Sequence, residues 1–189
     1  MRSIVYWHPF TYKLIMRLIY GKYYIPFYGK IANEIGKMEL LDICCGDCYI
    51  THFLSGNKYL GYEIIPTFVK KARKKGINVE LVDIRNKPFP ETECILIARA
   101  LYQLYPYHEE IISKALKSAK KKLIIAESAI NLASSRNPII SSIAKRSTNP
   151  GVHSSNKRFN PDELRELYEK FGAKRIEFLG RDFIGIFEK

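Results

Sequence analysis

The feature that most constrains the fold is the alternation of short apolar runs with helix-like segments over residues 38–127. Five runs suit buried strands: MELLDI, KYLGYEI, INVELVD, ECILIARAL and KKLIIAE. The segments between them suit helices, and one of these segments has Pro66 in its first turn and Gly76 just past its end. This alternation is typical of a parallel sheet with helices on its faces. We therefore expect an α/β fold.

The C-terminal segment adds two further strands and one helix. Asn160, Pro161 and Glu163 have the spacing of a capping box at the start of a helix that ends before Gly172. KRIEFLG and DFIGIFEK follow with only a tight turn between them, and a parallel crossover would need about a dozen residues. The two runs must therefore pair as a hairpin. The predicted fold is a doubly wound, mostly parallel seven-stranded sheet with a C-terminal antiparallel hairpin.

The length of 189 residues suits a single hydrophobic core, so we expect one domain over residues 1–189. Residues 1–37 are expected to form N-terminal helices that act as a lid, with Pro26 breaking any single helix. Residues 128–160 are rich in Ser, Asn, Pro and Gly and are expected to form a substrate-lid insert.

The net charge of +12 is concentrated in two segments. Residues 1–33 and residues 128–160 each contain five Lys and Arg side chains and no acid. In the second segment these include Lys145, Arg146, Lys157 and Arg158. If both segments lie over the substrate, they form a positive rim that attracts an anionic substrate.

We expect a cytoplasmic protein. Lys13, Arg17 and Lys22 interrupt the most apolar stretch, so no run approaches the roughly 20 residues that span a bilayer. The first ten residues also lack the cleavage pattern of a signal peptide. Cysteines in that compartment are expected to be reduced.

Residues 40–54, LLDICCGDCYITHFL, contain three of the four cysteines, including a C-x-x-C motif at Cys45 and Cys48. A structural zinc site needs four ligands, normally from a second similar pair. The remaining candidates, Cys44, His52 and Cys94, do not form such a pair. We therefore predict no metal site.

Two other interpretations of the stretch concern the turn that follows the first strand. Asp47 could cap a helix running to about Ser55, and thiols at such a helix start suit redox chemistry. Thioredoxins, however, lack five strand-helix units followed by a hairpin. A dinucleotide fingerprint would place glycines at Cys44, Gly46 and Tyr49, and Tyr49 is too bulky for that packing.

The same stretch resembles the first motif of the class I S-adenosylmethionine-dependent methyltransferases, D-x-G-x-G-x-G. Asp42 and Gly46 match this motif, whereas Cys44 and Cys48 replace the outer glycines. Cysteine is small, so the turn survives if neither position requires a positive φ. If one does, the departure is expected to weaken binding of S-adenosylmethionine.

The resemblance also implies roles for residues at the ends of later strands. Glu63 would chelate the ribose hydroxyls, and Asp83 would accept from the adenine amino group. The backbone N–H of Ile84 would face the adenine ring. Residues 99–102 would border the methionine part and the acceptor. The implied cofactor-binding set is Asp42, Cys44, Gly46, Glu63, Ile64, Asp83, Ile84 and Arg99.

The resemblance implies an enzyme that transfers a methyl group, and such a reaction needs a base only if the acceptor must lose a proton. Tyr102, Tyr105, His108 and His153 are candidates for that base. We expect a small or lipid-like anionic acceptor, with RNA as the second candidate. A C-x-x-C redox protein and a nucleoside-binding module without catalysis are the alternatives from other classes.

Overall fold

A computed structural model of the protein describes residues 9–129 and 157–189. Its seven strands form one sheet in the order β3-β2-β1-β4-β5-β7-β6. The first five strands run parallel, whereas β7 is antiparallel to both β5 and β6. The strands are β1 (Leu40–Ile43), β2 (Tyr59–Glu63), β3 (Val79–Leu81), β4 (Thr92–Ala98), β5 (Ala119–Ser128), β6 (Arg175–Leu179) and β7 (Asp182–Glu188). The predicted sheet and its terminal hairpin are confirmed.

Five α-helices lie in the described residues: α1 (Pro9–Tyr20), α2 (Tyr24–Ile35), α3 (Pro66–Lys74), α4 (His108–Ser118) and α5 (Pro161–Lys170). Helices cover both faces of the sheet, as the side chains of β4 show. Cys94 and Leu96 pack with Phe27 of α2, whereas Ile95 and Ile97 pack in the cluster that includes α4 and α5. These four side chains are all buried, as expected for a central strand of a parallel sheet.

The break between the N-terminal helices lies earlier than predicted. The chain leaves α1 through a 3-10 turn at Gly21–Tyr23, and Gly21 has a φ of +50°. Pro26 lies inside the first turn of α2. That position tolerates proline because its missing N–H would have no partner in the helix. The helix break therefore comes from Gly21, and the prediction that Pro26 causes it is wrong.

The helix predicted from Asp47 to about Ser55 is also wrong. The chain forms only a 3-10 turn at Tyr49–His52, and Cys48, just before it, has a left-handed backbone with a φ of +56°. The Thr51 hydroxyl donates to the Cys48 carbonyl over 2.8 Å, and the Thr51 backbone N–H donates to the same oxygen over 3.0 Å. These local bonds favour a tight turn over a longer helix.

The capping box at the start of α5 is confirmed. The Glu163 backbone N–H donates to Asn160 Oδ1, and the Asn160 backbone N–H donates to Glu163 Oε2, each over 2.9 Å. Within the described segments, none of the helices has the length and apolar character that crossing a membrane requires.

Gly185→Ala tests the packing of α5 on the sheet, and Gly29→Ala in α2 is its control. A Cβ at Gly185 of β7 would lie 2.7 Å from Cδ2 of buried Tyr168, so Gly185→Ala should lower the free energy of unfolding by about 1–3 kcal/mol. Gly29 lies in α2 with nothing within 4 Å of its Cβ position, so Gly29→Ala should raise it by about 0.5–1 kcal/mol. Urea denaturation measures both changes, and an unaffected Gly185→Ala variant would contradict this packing.

Candidate functional site

The loop after β1 has a left-handed backbone at alternate residues. Cys44, Gly46 and Cys48 have φ angles of +58°, +55° and +56°. These are the three positions at which the methyltransferase motif has glycine. Both cysteine positions therefore have a positive φ, which is the case in which we expect weaker binding of S-adenosylmethionine. A left-handed backbone costs a residue other than glycine about 1–2 kcal/mol, so both cysteines hold strained conformations.

Glu63 at the end of β2 holds this loop in place. One carboxylate oxygen, Oε2, accepts the Gly46 backbone N–H over 2.8 Å. The other, Oε1, accepts the N–H groups of Ile64 and Ile65 over 2.9 and 2.8 Å. The side chain is buried, so these charge-assisted bonds replace the water that the carboxylate loses. Glu63 thus connects the carboxyl ends of β1 and β2.

Asp42 lies within β1, at the base of the same loop, and is buried. Burial raises the pKa of its carboxyl group to about 7. The Tyr59 hydroxyl donates to Asp42 Oδ2 over 2.9 Å and opposes this rise, whereas the nearby charges of Glu63 and Asp47 add to it. Asp42 therefore changes charge near neutral pH.

Asp83 lies just after β3 and forms an ion pair with Arg85. Arg85 Nε donates to Asp83 Oδ1 over 2.9 Å, and the Arg85 backbone N–H reaches the same oxygen over 3.2 Å. A ligand that bonds to Asp83 must share this carboxylate with Arg85. The arginine also fixes the orientation of the carboxylate.

The three predicted carboxylates lie around Cys44. Asp83 lines one cavity with Cys44, Asp42 lines another, and Glu63 bonds to Gly46, two residues further along the loop. Burial is the main cause of the raised pKa of the Cys44 thiol, and the charges of Glu63, Asp42 and Asp83 raise it further. The structure therefore brings together side chains from three neighbouring strands, and their role in binding a cofactor stays a prediction.

The cavity beside Cys44 has a volume of about 290 Å³. That is close to the lower limit of the range for small-molecule sites. Its lining is mostly apolar or aromatic, with polar groups at few positions. The lining residues are Cys44, Tyr62, Ile64, Val82, Asp83, Ile84, Arg85, Gln103, Leu104, Tyr105, Pro106 and Tyr107. A mostly apolar cavity with the Asp83 carboxylate in its lining suits an aromatic heterocycle that donates a hydrogen bond.

A second, much smaller cavity of about 20 Å³ also has Cys44 in its lining. Three further members of the predicted set, Asp42, Gly46 and Arg99, line it too. Tyr28 of α2 contributes to this lining as well. Cys44 therefore borders both cavities.

Arg99, directly after β4, is held by partners that sequence reasoning missed. Its Nε and Nη2 atoms donate to Asp182 Oδ1 and Oδ2 over 3.1 and 2.8 Å. The rings of Tyr20 and Phe27 lie 3.4 and 3.7 Å from the guanidinium carbon. Ser128 Oγ donates to Asp182 Oδ1 over 2.8 Å. The only sequence signal for Asp182 is an acid at the start of an otherwise apolar strand.

Glu127, at the end of β5, is a second acid that sequence reasoning missed. Its carboxylate accepts the Ser128 backbone N–H over 2.8 Å and the Tyr102 backbone N–H over 3.1 Å. Burial raises the pKa of Glu127 to about 7, against these two bonds. Glu127 therefore fixes the turn after β4 in the way that Glu63 fixes the loop after β1.

The candidate bases in the described residues differ in their access to the larger cavity. Tyr105 belongs to its lining, whereas Tyr102 and His108 do not. The Tyr102 ring lies 4.4 Å from the Arg158 guanidinium carbon. His108 starts α4, and burial lowers its pKa. His153 lies outside the described residues, as do Lys145 and Arg146 of the predicted rim.

The C-x-x-C thiols lie close together but in a setting that disfavours redox chemistry. Cys48 Sγ is 3.6 Å from Cys45 Sγ, and both residues are buried. The contact with Cys48, together with burial, raises the pKa of Cys45 well above its ordinary value. Reactive thiols need a lowered pKa and access. Within residues 9–129 and 157–189, no three His, Cys, Asp or Glu side chains form a group that could hold a metal ion.

No family model and no curated protein sequence matches the chain. Its structure resembles a SAM-dependent methyltransferase from Archaeoglobus fulgidus, with 17% identity, a TM-score of 0.67, and coverage of 94% of this chain and 99% of that one. It also resembles an O-methyltransferase family 2 protein from Planctomyces limnophilus in complex with apigenin, with 16% identity and a TM-score of 0.61. This match covers 96% of the chain and 61% of that protein.

A third similar structure is magnesium protoporphyrin IX methyltransferase from Synechocystis PCC 6803 with bound SAH. The identity is 14%, the TM-score is 0.64, and the match covers 87% of this chain and 82% of that one. At these identities the likeness establishes the fold. The chain has the fold of the class I SAM-dependent methyltransferases, as predicted.

The buried acids give a pH prediction. The pKa values of Asp42 and Glu127, about 7, lie above the ordinary value of about 4. The folded chain therefore binds more protons than the unfolded chain between these pH values. The contribution of these two groups to the free energy of unfolding should fall as pH rises from about 4 to 7 and then level off. Asp42→Asn and Glu127→Gln should each reduce this slope, by up to about 1.4 kcal/mol per pH unit, in urea titrations. Unchanged slopes in both variants would contradict the assignment.

Proposed function

We propose that this chain is an S-adenosylmethionine-dependent methyltransferase. The observation that carries the proposal is the position of three acids around the loop after β1: Glu63 bonds to Gly46, and Asp42 and Asp83 each line a cavity with Cys44. Ligands of open α/β sheets bind at this edge. The fold likeness supports the same function, and one similar protein, the Synechocystis enzyme, contains bound SAH.

The residues present fit a nucleoside with an amino-acid end. The larger cavity, with Asp83 and Ile84 in its lining, would hold the adenine ring. The Glu63 carboxylate offers about four acceptor sites and uses three of them for Gly46, Ile64 and Ile65, so it would accept from one ribose hydroxyl. The loop after β1 would contact the amino-acid end, next to Asp42.

The cofactor supplies a methyl group on a sulfonium, and the leaving group departs as a neutral thioether. The chain's own residues orient the reactants and exclude water, which can supply much of the rate. Helix α1 takes part in this enclosure, since Ile15 and Met16 pack on Ile65 and Phe68 beside the larger cavity. Tyr105 in the cavity wall is the described candidate base with access to a ligand.

For the acceptor we propose a small or amphiphilic anionic molecule. Two cations of the second basic segment, residues 128–160, lie in the described residues, and both contact aromatic rings near the larger cavity. Lys157 Nζ lies 6.0 Å from the ring centroid of Tyr105, and Arg158 lies over Tyr102. Glu163 pairs with Lys157, so Arg158 would supply the positive charge that attracts an anion.

Calorimetry with S-adenosylhomocysteine tests the cofactor site. Glu63→Ala removes the bonds to Gly46, Ile64 and Ile65 and should weaken binding at least tenfold. Glu80→Ala makes the same charge change on neighbouring β3, at an exposed ion pair with Lys87, and should leave affinity within about twofold.

Three outcomes of this series contradict the proposal in different ways. If Glu63→Ala and Glu80→Ala change the affinity for S-adenosylhomocysteine equally, the proposed cofactor site is wrong. Loss of a dithiol redox couple as the sole change in a Cys45→Ser plus Cys48→Ser variant would favour the redox alternative. Binding of S-adenosylhomocysteine with no transfer of a labelled methyl group to any acceptor tested would favour a binding module.

RNA is the second candidate acceptor, and helix α3 is the observation that favours it. Five cations lie within or directly after this helix: Lys70, Lys71, Arg73, Lys74 and Lys75. In the described part of the chain, no ion pair involves any of the four lysines. A helix with this charge could contact a phosphate backbone, a contact that weakens steeply as salt rises.

Fluorescence anisotropy with a labelled single-stranded RNA tests this candidate. Lys70→Gln plus Lys74→Gln should weaken binding and reduce the slope of log affinity against log salt by about 1–2. Lys120→Gln plus Lys121→Gln removes the same charge where the lysines pair with Glu91 and Glu93, and should have a smaller effect. Equal effects of the two pairs, or no binding at low salt, would exclude α3 as an RNA contact.

A further inference from the structure

Exposed apolar side chains lie where helix α1 passes into helix α2. Leu14 of α1 is 50% exposed, Tyr23 between the helices is 38% exposed, and Ile25 in the first turn of α2 is 48% exposed. Leu14 lies only about 10 Å along α1 from Gly21, where the turn toward Tyr23 begins, because a helix rises 1.5 Å per residue. A group of exposed apolar side chains, unlike a single one, indicates an interaction site.

The two sides of α1 differ in what they contact. Ile15 and Met16 pack on Ile65, so this side faces the protein. Leu14 and Arg17 are three residues apart and therefore lie on one side of the helix, and both are exposed. The outward side of α1 thus combines an aliphatic side chain with a cation. We call Leu14, Arg17, Lys22, Tyr23 and Ile25 together the N-terminal face.

The N-terminal face is positively charged. Arg17 and Lys22 are exposed, and neither forms an ion pair within residues 9–129 and 157–189. The first acid along the chain is Glu34, and it pairs with Lys122 and Arg175. The surface that complements this face is therefore negatively charged and also accepts aliphatic side chains. The surface of a bilayer with anionic lipids has both properties.

The N-terminal face lies beside the carboxyl edge of the sheet. The Tyr20 hydroxyl is 2.8 Å from Oγ of Ser128, the last residue of β5. A Cβ at Gly180, in the turn between β6 and β7, would lie 2.6 Å from Tyr23 Cγ, so this turn packs against the Tyr23 ring. Open α/β sheets bind their ligands at this edge.

The aliphatic part of the face distinguishes a bilayer from RNA. RNA places its phosphates against cations and stacks its bases on aromatic rings. Leu14 and Ile25 can serve neither purpose and would stay in water. A helix that lies in a membrane interface buries such side chains at the boundary between headgroups and acyl chains, while its cations contact the headgroups.

From these observations we propose that the N-terminal face binds the surface of a bilayer that contains anionic lipids, with the carboxyl edge of the sheet turned toward it. Leu14 and Ile25 enter the interface, and Arg17 and Lys22 contact lipid phosphates. This role goes beyond the proposed function, since it requires neither a cofactor nor an acceptor.

Sedimentation with vesicles tests the proposal. The native chain should bind vesicles of equal parts phosphatidylcholine and phosphatidylglycerol at least about tenfold more tightly than vesicles of phosphatidylcholine alone. Each of the two cations contributes about fivefold near an anionic surface. Added salt should weaken the binding, because it screens this attraction.

One pair of variants tests the aliphatic contact. Ile25→Ser should weaken binding to the anionic vesicles by about fivefold or more, because the apolar side chain no longer enters the interface. Leu81→Ser is the matched control, since Leu81 is 52% exposed and lies on β3, at the opposite edge of the sheet from β6. It should leave the affinity within about twofold.

A second pair of variants tests the charge. Arg17→Gln plus Lys22→Gln should weaken binding to the anionic vesicles by about tenfold or more. Lys120→Gln plus Lys121→Gln removes the same charge at the start of β5, away from the N-terminal face, and should have a smaller effect. Circular dichroism and retained binding of S-adenosylhomocysteine show that each variant is folded and that any loss of vesicle binding is separate from the cofactor site.

Three results would overturn the proposal. The first is no binding of the native chain to the anionic vesicles at low salt. The second is an equal effect of Ile25→Ser and Leu81→Ser, or of the two double variants, because net charge alone would then explain the binding. The third is binding of a labelled RNA, but not of vesicles, that Arg17→Gln plus Lys22→Gln abolishes, which would assign the N-terminal face to RNA.

Discussion

The described site depends on the way a buried carboxylate satisfies backbone donors at the end of a neighbouring strand. Glu63 accepts three N–H groups, one from Gly46 in the loop after β1 and two from Ile64 and Ile65 after β2. Glu127 repeats the arrangement between β5 and the turn after β4. These bonds hold the loops in place before any ligand arrives. Ordering of the loops then takes little from the free energy of binding.

Much of the fold could be predicted from local sequence signals. Apolar runs, Pro66, Gly76 and the Asn160 capping box each act over a few residues, so their structural outcome depends little on distant contacts. The end of β2 could also be predicted, because Glu63 is an acid directly after an apolar run. The resemblance to a known motif implied a role for this acid at a ribose, but not its bonds to Gly46, Ile64 and Ile65.

The errors and omissions arise where distant contacts decide the outcome. The helix expected after Asp47 depends on backbone competition from Thr51 and Cys48, which composition does not reveal. Asp182 pairs with Arg99, which lies 83 residues away along the chain. Arg99 follows β4, whereas the hairpin partner of Asp182 lies in β6, on the other side of β7. The ion pair of Asp83 with Arg85 is local, yet its strength depends on side-chain orientations that only the folded chain defines.

The left-handed cysteines have a consequence for how such chains are recognised. What the loop after β1 preserves is a sequence of backbone angles, positive at residues 44, 46 and 48, rather than a sequence of glycines. A chain can therefore have the backbone angles of a glycine-rich loop without having its glycines. The strain at the two cysteines has an energetic cost, and the bond from the Gly46 N–H to Glu63 helps to offset it. A search pattern written in dihedral space would group this loop with glycine-rich turns that a letter-based pattern separates from it.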